Sequence, residues 1–222
     1  MIRIETHALI LDLDDTLYLE RDYVRSGFDA VGRHIAKRTD VQDFGERCWS
    51  LFEQGVRGTT FDQVIGDCGL GGTVDRFELV DIYRRHAPSI RPSPDAATFL
   101  SAWPADRPLG LITDGPVESQ AAKIAALKLR ERLHPIILSD QFGTEFRKPH
   151  DRPFEAVERA LGLMPDQLTY LADNPRKDFI APRRRGWHTI RIRRPLGEHS
   201  GRDDPADCPA EAEIVSLGEL TW

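Results

Sequence analysis

Apolar residues fall into two patterns along the chain. Five short runs are apolar almost throughout: ALILDL at 8–13, LGLIT at 109–113, IILS at 136–139, LTYLA at 168–172 and HTIRI at 188–192. Continuous, non-alternating hydrophobicity is expected of strands covered on both faces, as in a parallel sheet. Between these runs the apolar positions recur at helical spacing. In 114–129, Pro116 stands near a first turn and Val117, Ala121, Ile124 and Leu127 form one stripe. In 151–162, Asp151 reads as a cap, Phe154, Val157 and Leu161 point inward, and Gly162 reads as the stop. Strand alternating with helix predicts an α/β fold, a three-layer Rossmann-like parallel sheet with right-handed crossovers.

From residue 19 to 92 that rhythm breaks. Three amphipathic stripes follow one another: Val24, Phe28, Val31 and Ile35; Val41, Phe44, Cys48 and Leu51; Phe61, Val64, Ile65 and Cys68. A fourth helix is expected over 77–86, and PSIRPSP (88–94) reads as the linker back. A helical block of about 70 residues is far longer than a usual strand-to-helix connection. The pattern therefore predicts a helical domain at 19–92, inserted into an α/β core made of 1–18 and 93–222. The Gly-, Pro- and charge-rich stretch 195–207 reads as a loop, and AEIVS (212–216) as one further edge strand.

Composition narrows the function classes. The chain has 222 residues, 40% hydrophobic and 30% charged, which is ordinary for a soluble globular protein. A net charge of −6 argues against nucleic acid as a partner, because phosphate backbones select a basic excess. No apolar run approaches the roughly 20 residues that span a bilayer. Cys48, Cys68 and Cys208 are odd in number and lack C-x-x-C spacing, so they read as reduced thiols in a cytoplasmic protein.

Ligands of an open parallel sheet bind beyond the carboxyl ends of its strands. After the first run come Asp12, Asp14 and Thr16; at the end of the second, Thr113, Asp114 and Gly115. After the third comes Lys148, and after the fourth Asp173, Asn174 and Asp178. Acids clustered at a buried strand end repel one another unless a cation joins them. Together with a lysine and a hydroxyl they describe a site for a metal and a phosphoryl group. A carboxylate such as Asp12 is ionised at neutral pH and can attack phosphorus directly. Asp14, two residues on, can face the same side and exchange protons with the leaving group and the attacking water. Mg²⁺ suits the set, since it takes one or two carboxylates plus a phosphate oxygen. Asp12 and Asp173 would be its side-chain ligands, with Asp178 reaching it through water or a ligand's hydrogen bond. Asn174 either shapes this loop or supports the metal from behind. Lys148 and Thr113 would hold the remaining phosphoryl oxygens, with backbone amides near Asp114 and Gly115 adding to the cradle.

D-x-D-x-T at 12–16, the threonine of LITDG, the lysine of RKP and the run ADNPRKD closely resemble the four motifs of the haloacid dehalogenase superfamily. The resemblance covers 5–17 and 94–193, in order. It implies Asp12 as nucleophile, Asp14 as acid/base, and Thr113 and Lys148 as phosphate binders. It also implies Mg²⁺ held by Asp12, Asp173 and the backbone carbonyl of Asp14. The helical insert resembles the cap of the subfamily I type. The stretch 170–192 is similar to members that act on sugar phosphates. Ala172 stands where many members have Gly. The expected activity is hydrolysis of a small phosphate monoester, a sugar or polyol phosphate, through an aspartyl-phosphate. A phosphomutase of the β-phosphoglucomutase type and a non-catalytic protein on the same scaffold are the alternatives; a haloacid dehalogenase would lack the acid at Asp14.

Other positions carry plainer expectations. Arg57, in a Gly-flanked loop of the insert, is the one candidate there for substrate specificity, with a solvated arginine the plain alternative. Asp15 reads as solvated or capping, and Thr16 as support for the loop. The histidines considered, His199 among them, show no ligand spacing and carry no assigned role. The run 183–185 reads as a solvated helix end.

Overall fold

The computed structural model describes residues 1–222. Two compact units divide the chain: Met1–Glu20 together with Arg91–Trp222, and Arg21–Ile90.

The helical unit is built on α1 (Glu20–Ala36), α2 (Phe44–Glu53), α3 (Thr60–Asp67) and α4 (Arg76–Arg85). Val24, Phe28, Val31 and Ile35 form the stripe that α1 buries, against Phe44, Cys48, Val64, Ile65 and Leu79. Burying a side chain of this size stabilises by about 1.5–3 kcal/mol, so this one cluster accounts for much of the unit's cohesion. The crossing of α1 and α2 depends on Gly45. A methyl group there would meet the Phe28 carbonyl at 2.7 Å, so any larger residue would push the helices apart. The second stripe starts before its helix: Val41 lies outside α2, which begins at Phe44.

In the larger unit a six-stranded, wholly parallel sheet has the order β4-β3-β2-β5-β6-β7. Its members are β2 (Ala8–Leu11), β3 (Leu109–Thr113), β4 (Ile136–Leu138), β5 (Leu168–Ala172), β6 (His188–Ile192) and β7 (Ala212–Ile214). A second, two-stranded sheet pairs β1 (Ile2–Arg3) with β8 (Leu220–Thr221), neither of which is evident in the periodicity. Every residue of β2, β3 and β5 is buried, as continuous apolar runs require. Close packing at Gly110 of β3 leaves no room for a side chain, since a methyl would lie 2.7 Å from Ile10 Cδ1.

The helices of this unit are α5 (Pro94–Ala102), α6 (Val117–Ala126), α7 (Arg152–Leu161) and α8 (Ile180–Arg185). Phe154 and Val157 of α7 join Ile10, Tyr170 and Trp187 in one core cluster. α5 begins at the end of the expected linker, with Pro94 in its first turn. Gly162 ends α7 in the left-handed conformation, with φ 65°. Asp151 stands at the N-cap but makes no capping bond; it accepts from Arg184 Nη2 at 2.7 Å instead. Arg185, in the run read as solvated, is also engaged, pairing with Glu158 at 2.6 Å. No helix is long and apolar enough to cross a membrane.

The order reverses at β2, whose neighbours β3 and β5 lead away in opposite directions. The carboxyl ends of these three strands therefore open onto the switch point where α/β sheets bind ligands.

Candidate active site

Asp12 follows β2 directly, and its N–H still donates to Leu171 O of β5 at 2.9 Å, so its backbone is held by the sheet. Its carboxylate accepts from Lys148 Nζ at 2.6 Å. Burial, with Asp178 nearby, pushes its pKa up to about 7 despite Lys148. Asp173, after β5, is pushed well above the usual carboxylate range by burial and by Asp178 and Asp12. Asp12, Asp173 and Asp178 offer oxygens within 4.8 Å of one another, and all three are buried. Three acids this close and this dry are costly as anions, and a divalent cation among them removes the cost. The donor set is all oxygen, which fits a hard cation such as Mg²⁺.

Lys148 is enclosed. Its ammonium also donates to Tyr170 OH at 2.8 Å and pairs with Asp178 Oδ1 at 2.9 Å. Despite its burial, these acids hold its pKa well above the ordinary value. Asp178 in turn accepts from Asn174 N–H at 3.0 Å, closing the loop after β5, while Asn174 Oδ1 accepts from Arg176 N–H. In this structure Asn174 shapes the turn.

Asp14 is held by groups that periodicity did not single out. Tyr18 OH donates to it, as do Lys123 Nζ at 2.7 Å and Gln120 Nε2 at 3.1 Å. Burial alone would raise its pKa, but these donors outweigh burial and lower it. Gln120 also donates to Thr113 Oγ1. Gln120 and Lys123 share the buried stripe of α6 with Ile124, and two polar residues on an inward-facing stripe were the available signal.

Asp114, expected at the phosphate cradle, uses its carboxylate as an anchor. It accepts from Ser139 Oγ at 2.7 Å, Lys148 N–H at 3.1 Å and Lys177 Nζ at 2.7 Å. Burial opposes its ionisation, yet Lys148 and Lys177 lower its pKa. An anion so held contributes to phosphate binding only through its backbone or its lysine.

Asp15 is capping rather than solvated, since it holds the N–H that opens α1. It is buried, has φ 51°, and accepts from Glu20 N–H at 2.9 Å and Glu198 N–H at 2.8 Å. It therefore ties the 195–207 loop to the first motif. Thr16 is buried within the same loop, its hydroxyl without a hydrogen-bond partner. Fully buried Arg191 secures the 195–207 loop from below, donating to Asp173 O at 3.3 Å, Asp204 Oδ1 at 2.5 Å and His199 O at 2.8 Å.

These side chains enclose a cavity of about 120 Å³. Asp12, Asp14, Thr113, Asp114, Asp173 and Asn174 line it. So do Asp15, read as solvated or capping, and Glu20, Lys177 and His199, to which no role was assigned. Burial and Asp14 push Glu20 up to about 8, whereas burial and Arg202 push His199 down. Lys148 is absent from this lining.

Arg57 belongs to the helical unit. Its guanidinium donates to Phe52 O at 2.7 Å and Val56 O at 3.0 Å and stacks 3.7 Å over the Phe52 ring. Arg57 and Phe52 line a second pocket, of about 280 Å³, with Phe28, Phe61 and Tyr83.

Comparison with known proteins gives the class. The model of haloacid dehalogenase-like hydrolases matches residues 6–184, and the chain belongs to that family. It is thus a hydrolase. Among its relatives, the glyceraldehyde 3-phosphate phosphatase of Methanocaldococcus jannaschii is 27% identical over 96% of this chain and 94% of its own length. The phosphoserine phosphatase of Thermus thermophilus is 28% identical, covering 96% of each chain. The fold matches the magnesium-bound HAD-hydrolase YfnB of Bacillus subtilis, with a TM-score of 0.68 at 19% identity, over 96% and 95% of the two chains. It also matches L-2-haloacid dehalogenase of Xanthobacter autotrophicus, with a TM-score of 0.64 at 20% identity, over 96% of each.

Proposed function

We propose that this hydrolase is a Mg²⁺-dependent phosphatase acting on a small phosphate monoester through an aspartyl-phosphate. The observation that carries the reading is the Asp12 carboxylate, buried with Asp173 and Asp178 yet paired with Lys148. Asp12 would attack phosphorus as the ester P–O bond breaks, and Asp14 would hand its proton to the leaving oxygen. Water then attacks the acyl-phosphate, Asp14 takes its proton, and phosphate departs. That proton serves the next turnover, so the cycle converts ester and water into alcohol and phosphate. The donors around Asp14 favour its carboxylate form, the form that receives the water's proton. Lys148 keeps Asp12 in place, and Thr113 contributes its hydroxyl to the phosphoryl cradle.

Asp12, Asp173 and the Asp14 carbonyl would hold Mg²⁺, with Asp178 supporting them. When bound, the metal offsets the repulsion between carboxylate and phosphate and stabilises charge in the transition state. Residues 21–90 would act as a cap that excludes water during transfer. The relatives' names point to a phosphorylated three-carbon aldehyde or hydroxy-amino acid. Such substrates share a primary phosphate ester with sugar and polyol phosphates. Three free cysteines agree with a reducing, cytoplasmic setting.

The test is phosphate release from glyceraldehyde 3-phosphate, phosphoserine, polyol and sugar phosphates and p-nitrophenyl phosphate. Each is run with Mg²⁺, with EDTA, and with Asp12→Asn. Metal-dependent turnover lost in Asp12→Asn supports the reading, and the ranking of esters identifies the substrate. No turnover of any monoester by folded, Mg²⁺-loaded protein would overturn it.

A further inference from the structure

We infer that Lys123 is a positioning residue for the proton transfers of Asp14: with Tyr18 it pins the carboxylate oxygen Oδ1 and leaves Oδ2 as the atom that gives and takes the proton. The assignment rests on the phosphatase reading above. A carboxylate oxygen offers about two lone-pair sites. Both sites of Asp14 Oδ1 are used, one by the Tyr18 hydroxyl and one by Lys123 Nζ at 2.7 Å. Oδ2 accepts one hydrogen bond, from Gln120 Nε2 at 3.1 Å, and so keeps a site for a proton. The last torsion of an aspartate is broad and roughly two-fold, so an unanchored carboxyl exchanges its two oxygens. Two donors on one oxygen and one on the other remove that equivalence.

The two anchors of Oδ1 are fixed to different parts of the unit. Tyr18 lies four residues on in the same loop, and its backbone bridges to Asp14, so it orients the carboxyl only relative to that loop. Lys123 lies 109 positions away on α6, the helix that follows the Thr113 strand. One turn earlier on the same buried face, Gln120 joins Asp14 Oδ2 to Thr113 Oγ1. In this way α6 sets Asp14 against the threonine that would hold the phosphoryl group. The Lys123 side chain is only 5% exposed, next to Ile124 on the buried stripe. An apolar residue would fill that place with less desolvation. A charge kept there points to work on Asp14 rather than to packing.

Leaving groups separate this role from a structural one. Nitrophenolate departs without a proton, whereas an alkoxide needs one as its ester bond breaks. With enzyme in excess over ester, only the first transfer is timed. Mg²⁺-loaded wild type, Lys123→Met and Tyr18→Phe are compared in this way on p-nitrophenyl phosphate and on the best alkyl ester, and melting curves confirm folding. Lys123→Met should slow cleavage of the alkyl ester by about 10–100-fold and that of p-nitrophenyl phosphate much less. Its acyl-phosphate should persist longer whichever ester formed it, because the attacking water gives its proton to the same Oδ2. Tyr18→Phe removes one hydroxyl and keeps the packing, so it should show the same split in smaller measure, and it decides the matter should Lys123→Met fail to fold. Equal slowing of both esters, or no slowing of either, in folded variants would overturn the assignment. An acyl-phosphate hydrolysed by Lys123→Met at the wild-type rate would also overturn it. Wild-type protein that cleaves neither ester would remove the phosphatase reading, and this assignment with it.

Discussion

The two units bury different things. Between residues 21 and 90 the buried polar side chains are Ser26, Thr60 and His86, with no carboxylate, lysine or arginine among them. The charges of that unit sit in exposed pairs such as Arg76–Asp62 and Arg85–Asp81. In the sheet-based unit, Asp12, Asp15, Lys123, Lys148, Asp173, Asp178, Arg191 and Arg194 are all buried. Exposed ion pairs contribute about 0–1 kcal/mol, and buried ones often do no better than apolar replacements. Stability alone therefore gives no reason for one unit to enclose so many charges. Their concentration there marks where chemistry takes precedence over packing.

The contrast has consequences of decreasing size. Asp12→Asn should lower turnover by at least about 10⁴-fold while the protein stays folded, since it removes the reacting atom and leaves the packing. Retained turnover in that variant would break the comparison. Next comes Lys148→Met, which strands buried Asp12 and Asp178 and should cost about 3–5 kcal/mol in denaturant unfolding. Phe44→Ala in the helical unit should cost a similar 3–5 kcal/mol, by leaving a cavity in an apolar core.

Asp173→Asn sharpens the difference, because here stability and chemistry oppose each other. Burial and its acidic neighbours raise the Asp173 pKa, so its ionised form destabilises the metal-free fold. The variant should melt higher than wild type without Mg²⁺ at pH 7.5 and bind Mg²⁺ more weakly by calorimetry. A lower melting temperature would mean the acidic cluster is not under electrostatic strain.

The same reasoning fixes a sign for pH. Asp12 rises from 3.8 to about 7 on folding, so between those values the folded state holds the extra proton. Metal-free stability from this group is greatest at low pH and falls as pH rises through about 7. Acids with lowered pKa values, Asp14 and Asp114, act in the opposite sense but only at more acidic pH. Melting curves from about pH 5 to 8 should show the decline without Mg²⁺ and much less of it with Mg²⁺, whose binding displaces the proton. The smallest effect belongs to Arg57→Ala, which loses a stacking contact worth about 0.5–1 kcal/mol. A rise in KM beyond that change would give Arg57 a role in specificity.

Much of this arrangement was legible in sequence, for a definite reason. Asp12, Thr113 and Asp173 stand at or just beyond the ends of apolar runs, and strand ends in a parallel sheet share one edge. Their neighbourhood follows from topology without knowledge of packing. Groups whose role depends on the contents of the interior were not legible. Lys123 and Gln120 lie on a helical stripe, and only the packed structure shows that the stripe faces Asp14. Asp15 read as solvated or capping, and its second partner, the Glu198 N–H, was hidden because it is 183 positions away. Lys177 stands beside an acid already singled out, but nothing in the spacing separates a cavity-lining lysine from an enclosed one. The Gly- and Pro-rich loop 195–207 conceals its role in the same way, since its anchor Arg191 lies within a strand.

Central to the account is Asp12 as the group that carries phosphorus. Mixing substrate with excess Mg²⁺-loaded enzyme, quenching in acid and mapping the modified peptide by mass spectrometry tests it most directly. The account predicts one phosphoryl group on the peptide containing Asp12, appearing and decaying at rates compatible with turnover and absent from Asp12→Asn. Phosphoryl transfer to a different residue, or undiminished turnover in Asp12→Asn, would contradict it.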